Sequence, residues 1–197
     1  LLEKNGFKEL DICSKWNIEL GKKYYVKKTN STILAFTTPN KLDVKKGIKI
    51  FASHTDSPSI RIKPKSEVVT NNMLRLNTEV YGGPILSTWF DRPLSIAGRL
   101  LTRSQDAFKP KVSYINLSDI VVVIPNLAIH QNRDVNNGHK IDKQKELLPI
   151  ISLVNDTLEA DNYLLKTISK KLNVDIKDIL DFDLMLYPLD KGRLMGV

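Results

Sequence analysis

Cysteine is almost missing from this chain. Cys13 stands alone, so no intrachain disulfide can form and the fold must hold without covalent cross-links. Such scarcity suits a reducing compartment, and a cytoplasmic location is expected. Cys13 itself is expected to be a small buried residue with no part in chemistry. No apolar run approaches the roughly 20 residues that a membrane-spanning helix needs. The opening Leu1-Leu2-Glu3-Lys4 reads as the start of an amphipathic helix and lacks the regions of a secretory signal. No membrane partner is expected. Acidic residues also fall short of basic ones, 22 against 30, leaving a formal net charge of +8. The excess invites a nucleic-acid reading, but the lysines are scattered as Lys22-Lys23, Lys27-Lys28, Lys45-Lys46 and Lys170-Lys171, with acidic residues between them. Only Tyr24-Tyr25 beside Lys27-Lys28 hints at a basic stripe with stacking rings. A solvated lysine-rich surface is the better account, and no nucleic-acid partner is expected.

What is present is ordinary globular material: 197 residues, 42% hydrophobic and 26% charged, enough for one domain or two small ones. Leu2, Phe7 and Leu10 suggest a first helix turned near Gly6, with Trp16 packed behind it. Residues 22–28 and 32–37 read as a hairpin around Thr29-Asn30-Ser31. Residues 49–53 read as a short buried strand leading into His54. From about residue 60 the texture turns to repeated β segments: 59–63, 73–80, 94–101, 111–115 and 119–124. Residues 150–172 carry an amphipathic pattern that predicts one long helix, with Leu153, Leu158, Leu164, Leu165 and Ile168 on its apolar side. Asn173 or Asp175 is placed to cap a short following helix. Residues 182–187 close as a strand. The fold class is α/β with a β-rich second part.

The chemistry concentrates in Phe51-Ala52-Ser53-His54-Thr55-Asp56-Ser57-Pro58. Alternation along an extended chain puts His54 and Asp56 on one side, within reach of a shared metal or of each other. Imidazole is a preferred zinc ligand, and a nearby carboxylate can orient it. Taken alone, a His-x-Asp triplet is more often chance than site. Further on, Trp89, Asp91 and Arg92 form a compact segment in which Asp91 and Arg92 could order the loop by a charge-assisted hydrogen bond. Gly82-Gly83-Pro84 reads as a turn and not as a phosphate loop. His139 follows Asn136-Asn137-Gly138 and is expected to face solvent.

Taken in order, four blocks resemble the M18 family of zinc aminopeptidases, of which the aspartyl aminopeptidases are the best known. They are His54-Thr55-Asp56-Ser57-Pro58, then Leu76-Asn77-Thr78-Glu79-Val80-Tyr81-Gly82-Gly83-Pro84, then Ser87-Thr88-Trp89-Phe90-Asp91-Arg92-Pro93-Leu94, then Ile124-Pro125-Asn126-Leu127-Ala128-Ile129-His130 with Asn132-Arg133-Asp134-Val135-Asn136 after it. The resemblance implies part of an α/β zinc-peptidase catalytic domain with an inserted β-rich dimerisation domain. On that pattern residues 1–62 begin the catalytic domain, residues 63–181 are the insertion, and residues 182–197 return to the catalytic sheet. It also implies a pair of divalent metals, usually zinc, in each complete active site. His54 would be a metal ligand and Asp56 would tune the site without touching the metal. His130 would reach across a dimer to assist substrate binding or oxyanion stabilisation. The implied partners are peptide substrates and further copies of the chain, in a homodimer or a larger assembly such as a dodecamer.

The departure from the pattern matters as much. The family needs a bridging aspartate, an adjacent glutamate pair, another aspartate and a distal histidine. No two glutamates are adjacent here, and the imidazoles stop at His54, His130 and His139. Asp181, Asp183 and Asp190 lie late in the chain, outside the arginine-leucine-aspartate context of the family. The chain starts without methionine and ends at Leu194-Met195-Gly196-Val197, and it is expected to be a piece of a longer protein, inactive by itself. The leading expectation is a metal-dependent aminopeptidase, with a preference for acidic N-terminal residues by analogy. The alternative is a non-catalytic assembly module that pairs with full-length subunits.

Overall fold

A hairpin organises the first part of the chain. In the computed structural model, which describes residues 1–29, 31–154 and 161–196, strands β2 (Lys23–Lys28) and β3 (Thr32–Thr37) pair antiparallel, and a short β1 (Lys8–Glu9) lies parallel to β2. Tyr24, Tyr25 and Val26 are its buried centre, and Phe36 meets the Tyr24 ring at 5.6 Å and the Trp16 ring at 6.4 Å. The expected opening helix is a single 3-10 turn, Glu3–Asn5, because Gly6 takes a left-handed φ of 78° and ends it. Nor are residues 49–53 a buried strand: they have no regular structure, and Ile50 and Phe51 are 81% and 94% exposed. A buried strand needs neighbours on its edges to satisfy its backbone groups, and none of the described strands supplies them. This unit spans Leu1–Ser57.

The second unit, Pro58–Val197, is built on a six-stranded sheet. Its strands are β4 (Ser59–Thr70), β5 (Met73–Tyr81), β6 (Leu94–Thr102), β7 (Lys111–Asn116), β8 (Ile150–Leu153) and β9 (Ile179–Pro188), in the order β7-β6-β9-β4-β5-β8. Period-two alternation makes the sheet one-sided. Ile60, Ile62, Leu74, Leu76, Ile96 and Leu184 are buried, whereas Arg61, Arg99, Glu79 and Asp183 share the wet face in ion pairs. Pro64 interrupts β4, and the pairing register with β5 shifts between Ile62 and Glu67. A proline has no N–H for the ladder, so a local irregularity there is the physical consequence.

Two segments differ from expectation. Residues 150–172 are not one helix: residues 150–153 form β8 on the edge of β5, and helix α1 covers only Tyr163–Leu172. The β-branched Ile150-Ile151 after Pro149 favours extension, and an open strand edge rewards it. Leu158 lies outside the described residues. Residues 119–124 make isolated bridges rather than a strand, Val122 with Leu94 and Val123 with Ile150, while Val122 and Ile124 remain in the core. The closing strand β9 runs inside the six-stranded sheet between β6 and β4. Leu184 and Leu186 bury themselves there, which explains the pairing. The division between these two units falls between Ser57 and Pro58. Leu164 and Ile168 seat α1 against the sheet's apolar face, and Asp175 caps the following 3-10 turn, Ile176–Asp178, by accepting from Lys177 N. No helix among the described residues is long and apolar enough to cross a membrane.

Candidate functional site

His54 and Asp56 do meet, though on an exposed extended segment and not at a strand end. His54 Nδ1 lies 2.9 Å from the Asp56 backbone oxygen and 3.1 Å from Asp56 Oδ1. A backbone carbonyl can only accept, so Nδ1 carries the proton. In the neutral ring the lone pair then sits on Nε2, facing away from Asp56. That is the state a metal-binding imidazole needs, with the carboxylate fixing tautomer and ring orientation. Zinc centres use about three or four protein ligands. Among the described residues no group of three His, Cys, Asp or Glu side chains is placed to hold a metal ion. The described residues therefore fit one ligand of a zinc centre, not the centre.

His130 lies in the other unit, in a tight turn where Gln131 N and Asn132 N donate to Ala128 O at 2.8 and 3.2 Å. Its imidazole is exposed. Immediately upstream, Asp91 grips the chain. Its N–H donates to Ile124 O at 2.9 Å, and its carboxylate accepts from Asn126 N and Nδ2 at 2.9 and 2.8 Å. Those two bonds, the backbone one first, hold the Asp91 carboxyl below its usual range, against a smaller effect of burial. Asp91 takes a left-handed φ of 52°, which aspartate tolerates better than most residues. The expected Asp91–Arg92 bond is absent. Arg92 donates to Thr88 O at 3.3 Å and faces Asp190 at 3.5 Å, because the turn at Asp91 sends the two side chains to different partners. Trp89 is buried in the core cluster.

Two further expectations change. His139 is half-buried, its Nε2 at 2.7 Å from Glu146 Oε2, while Asp142 N donates to the other oxygen of Glu146. The Asn-Gly signal marks the turn correctly but says nothing of a carboxylate seven residues on. Cys13 is exposed, since it sits in the turn that Asp11 makes by accepting from Cys13 N and the Ser14 hydroxyl. Sequence reasoning missed Asn126, although Pro125-Asn126 is the kind of turn pair that invites a carboxylate partner.

The comparisons bear directly on these blocks. A family model described as aminopeptidase I zinc metalloprotease (M18) matches residues 1–197. A probable M18 family aminopeptidase 2 of Clostridium acetobutylicum is 53% identical over 197 residues, which cover 100% of this chain and 46% of that protein. A protein of the same description from Pseudomonas aeruginosa is 35% identical over 198 residues, with the same coverage of 100% and 46%. Among solved structures, a chain of the cryo-EM complex of Ape4 and Nbr1 matches with a TM-score of 0.84 and 34% identity, covering 100% of this chain and 41% of that one. The S. cerevisiae mApe1 dodecamer matches with a TM-score of 0.74 and 25% identity, covering 100% and 44%. The chain thus spans about half the length of the curated relatives it matches, 46% of each. With the family model matched from residue 1 to residue 197, this chain belongs to the M18 family of zinc aminopeptidases.

Proposed function

We propose that the protein, at the length of its relatives, is a zinc-dependent aminopeptidase that removes N-terminal residues, acidic ones preferentially, from peptides. The observation that carries this reading is the family match along the whole chain, with the His54–Asp56 pair already in ligand-ready geometry. Zinc in such a site supplies a Lewis acid and a nucleophile from bound water near neutral pH. His54 would present Nε2 as a ligand of one of a pair of metals, and Asp56 would keep the proton on Nδ1. His130, on its exposed turn, would donate from its imidazole to a substrate or oxyanion oxygen in the active site of a partner subunit. Residues 63–181 would serve as the dimerisation domain, so that the site is complete only in a homo-oligomer; a dodecamer, the state named for the S. cerevisiae neighbour, is the larger assembly to expect.

A second reading, a non-catalytic module pairing with full-length subunits, is favoured by the absence of a three-ligand cluster among the described residues. One comparison separates them. The protein made at its relatives' length, with and without His54→Ala, is assayed for bound zinc and for release of aspartate, glutamate, alanine or leucine from peptide N-termini. The enzyme reading expects bound zinc, faster release of the acidic residues and a loss of at least about a hundredfold in kcat/KM on replacement. Full-length protein without zinc or hydrolysis would instead support the module.

A further inference from the structure

We infer that Asp91 and Asn126 are positioning residues for His130, forming a clamp that sets where its turn stands on the sheet; this rests on the proposed role of His130. The sequence explains why a clamp is needed. The segment 121–130 leaves the core after Ile124 and continues without ladder partners. Pro125, the next residue, has no N–H with which to bind anything. The first donor available after the core is Asn126 N, two residues before Ala128 accepts the bonds that close the His130 turn. Left unheld, Asn126 would let the whole turn pivot about Pro125.

Asp91 meets that need from the opposite side. Phe90 bridges Ile124, and the Asp91 N–H donates to the Ile124 carbonyl, so the backbone before Pro125 is fixed. The Asp91 carboxylate then reaches past the proline and accepts both the N–H and the side-chain amide of Asn126. A carboxylate accepting two N–H groups from one residue fixes its orientation as well as its place. The left-handed backbone of Asp91 aims the carboxylate there, and such a conformation in a non-glycine residue persists only where its surroundings hold it. His130 follows four residues later with its ring exposed and no hydrogen-bond partner among the described residues. Its place is therefore set by the backbone of its turn and not by its own side-chain contacts.

A displacement of about 1 Å in a group that assists chemistry can cost up to about a hundredfold in rate. The test is a double-mutant cycle in the protein at its relatives' length, loaded with zinc, using Asp91→Ala, His130→Ala and both together. Thermal melting and native mass accompany each variant. The expected result is a kcat lowered about tenfold or more by Asp91→Ala, with zinc content unchanged and no further loss when His130 is already alanine. The exchanged pair Asp91→Asn with Asn126→Asp keeps an amide facing a carboxylate and should recover most of the loss. Where Asp91→Ala fails to fold, Asn126→Ala takes its place in the same cycle.

The outcomes separate cleanly. An equal loss from Asp91→Ala with and without His130 would overturn the clamp while leaving the role of His130 intact. So would full activity in Asp91→Ala beside a defective His130→Ala. Unchanged turnover in His130→Ala would remove the role of His130 and the clamp with it.

Discussion

At the scale of single residues, Asp56 carries the most direct consequence. It holds the proton on His54 Nδ1 through its backbone oxygen at 2.9 Å and its carboxylate at 3.1 Å. Asp56→Ala removes the carboxylate and leaves the backbone bond, so the ring keeps its tautomer preference but loses half its orientation. In the protein at its relatives' length, zinc affinity should fall about 10- to 100-fold, the usual cost of losing a partner of a ligating histidine. Competition against a chelator measures it, and unchanged affinity would show that the metal does not depend on this pair. Asp91 gives a pH dependence with a defined sign. Its native pKa lies below the ordinary carboxylate value of about 4 because Asn126 donates to the ionised form twice. The stability it adds is present above that value and is lost as pH falls through the lowered native pKa. Asp91→Asn should therefore lower the melting temperature at pH 7 and flatten the acid limb of the stability curve below about pH 4. Parallel acid limbs in the two proteins would count against it.

At the scale of elements, the closing strand β9 joins the two halves of the sheet, lying between β6 and β4. It pairs with β6 from Leu94–Pro188 to Thr102–Ile179 and touches β4 at Arg61–Met185. The pairing depends on Gly98, where an added Cβ would stand 2.0 Å from the Asp183 carbonyl oxygen. Backbone cannot yield as a flexible side chain can, so Gly98→Ala must force β6 and β9 apart. A loss of about 3 kcal/mol or more is expected, at the upper end of overpacking effects. Urea unfolding of this chain checks it, and a midpoint shift equivalent to less than about 1 kcal/mol would mean that the strands part easily.

Legibility in the sequence follows the same logic of local against non-local cause. The hairpin, β4 to β7 and the capped turn at Asp175 were readable because alternation, turn residues and caps are local. The strand at 150–153 was not, since an apolar run of helical period becomes a strand when the edge of β5 is vacant beside it. Gly98 in a strand signals close backbone approach, but nothing local names Asp183 as the neighbour. The His54–Asp56 contact was legible from spacing, whereas the clamp of Asp91 on Asn126 joins residues 35 positions apart.

At the scale of the whole molecule, the two units differ in how well their apolar residues are covered. The six-stranded sheet buries a continuous core from Ile60 to Leu186. Around His54, by contrast, Ile48, Ile50 and Phe51 stand 89%, 81% and 94% exposed, in the segment whose composition reads as a buried strand. An uncovered run of that kind suits an interface, and under the proposed function, with His54 as a zinc ligand, it is where the remaining structure of an active site would dock. The consequence for the 197-residue chain made alone is twofold. One imidazole without a converging set of ligands among the described residues should not retain zinc stoichiometrically at neutral pH, and peptides should pass uncleaved. The uncovered apolar run should bind a hydrophobic dye, and Ile50→Ser with Phe51→Ser should reduce that signal without shifting the melting transition of the sheet. Dialysis against zinc followed by metal analysis, peptide assay and dye titration examines all of this on one preparation. Stoichiometric zinc with cleavage of an N-terminal residue would mean that ligands converge in this chain after all, and the proposal of a site completed from elsewhere would fall.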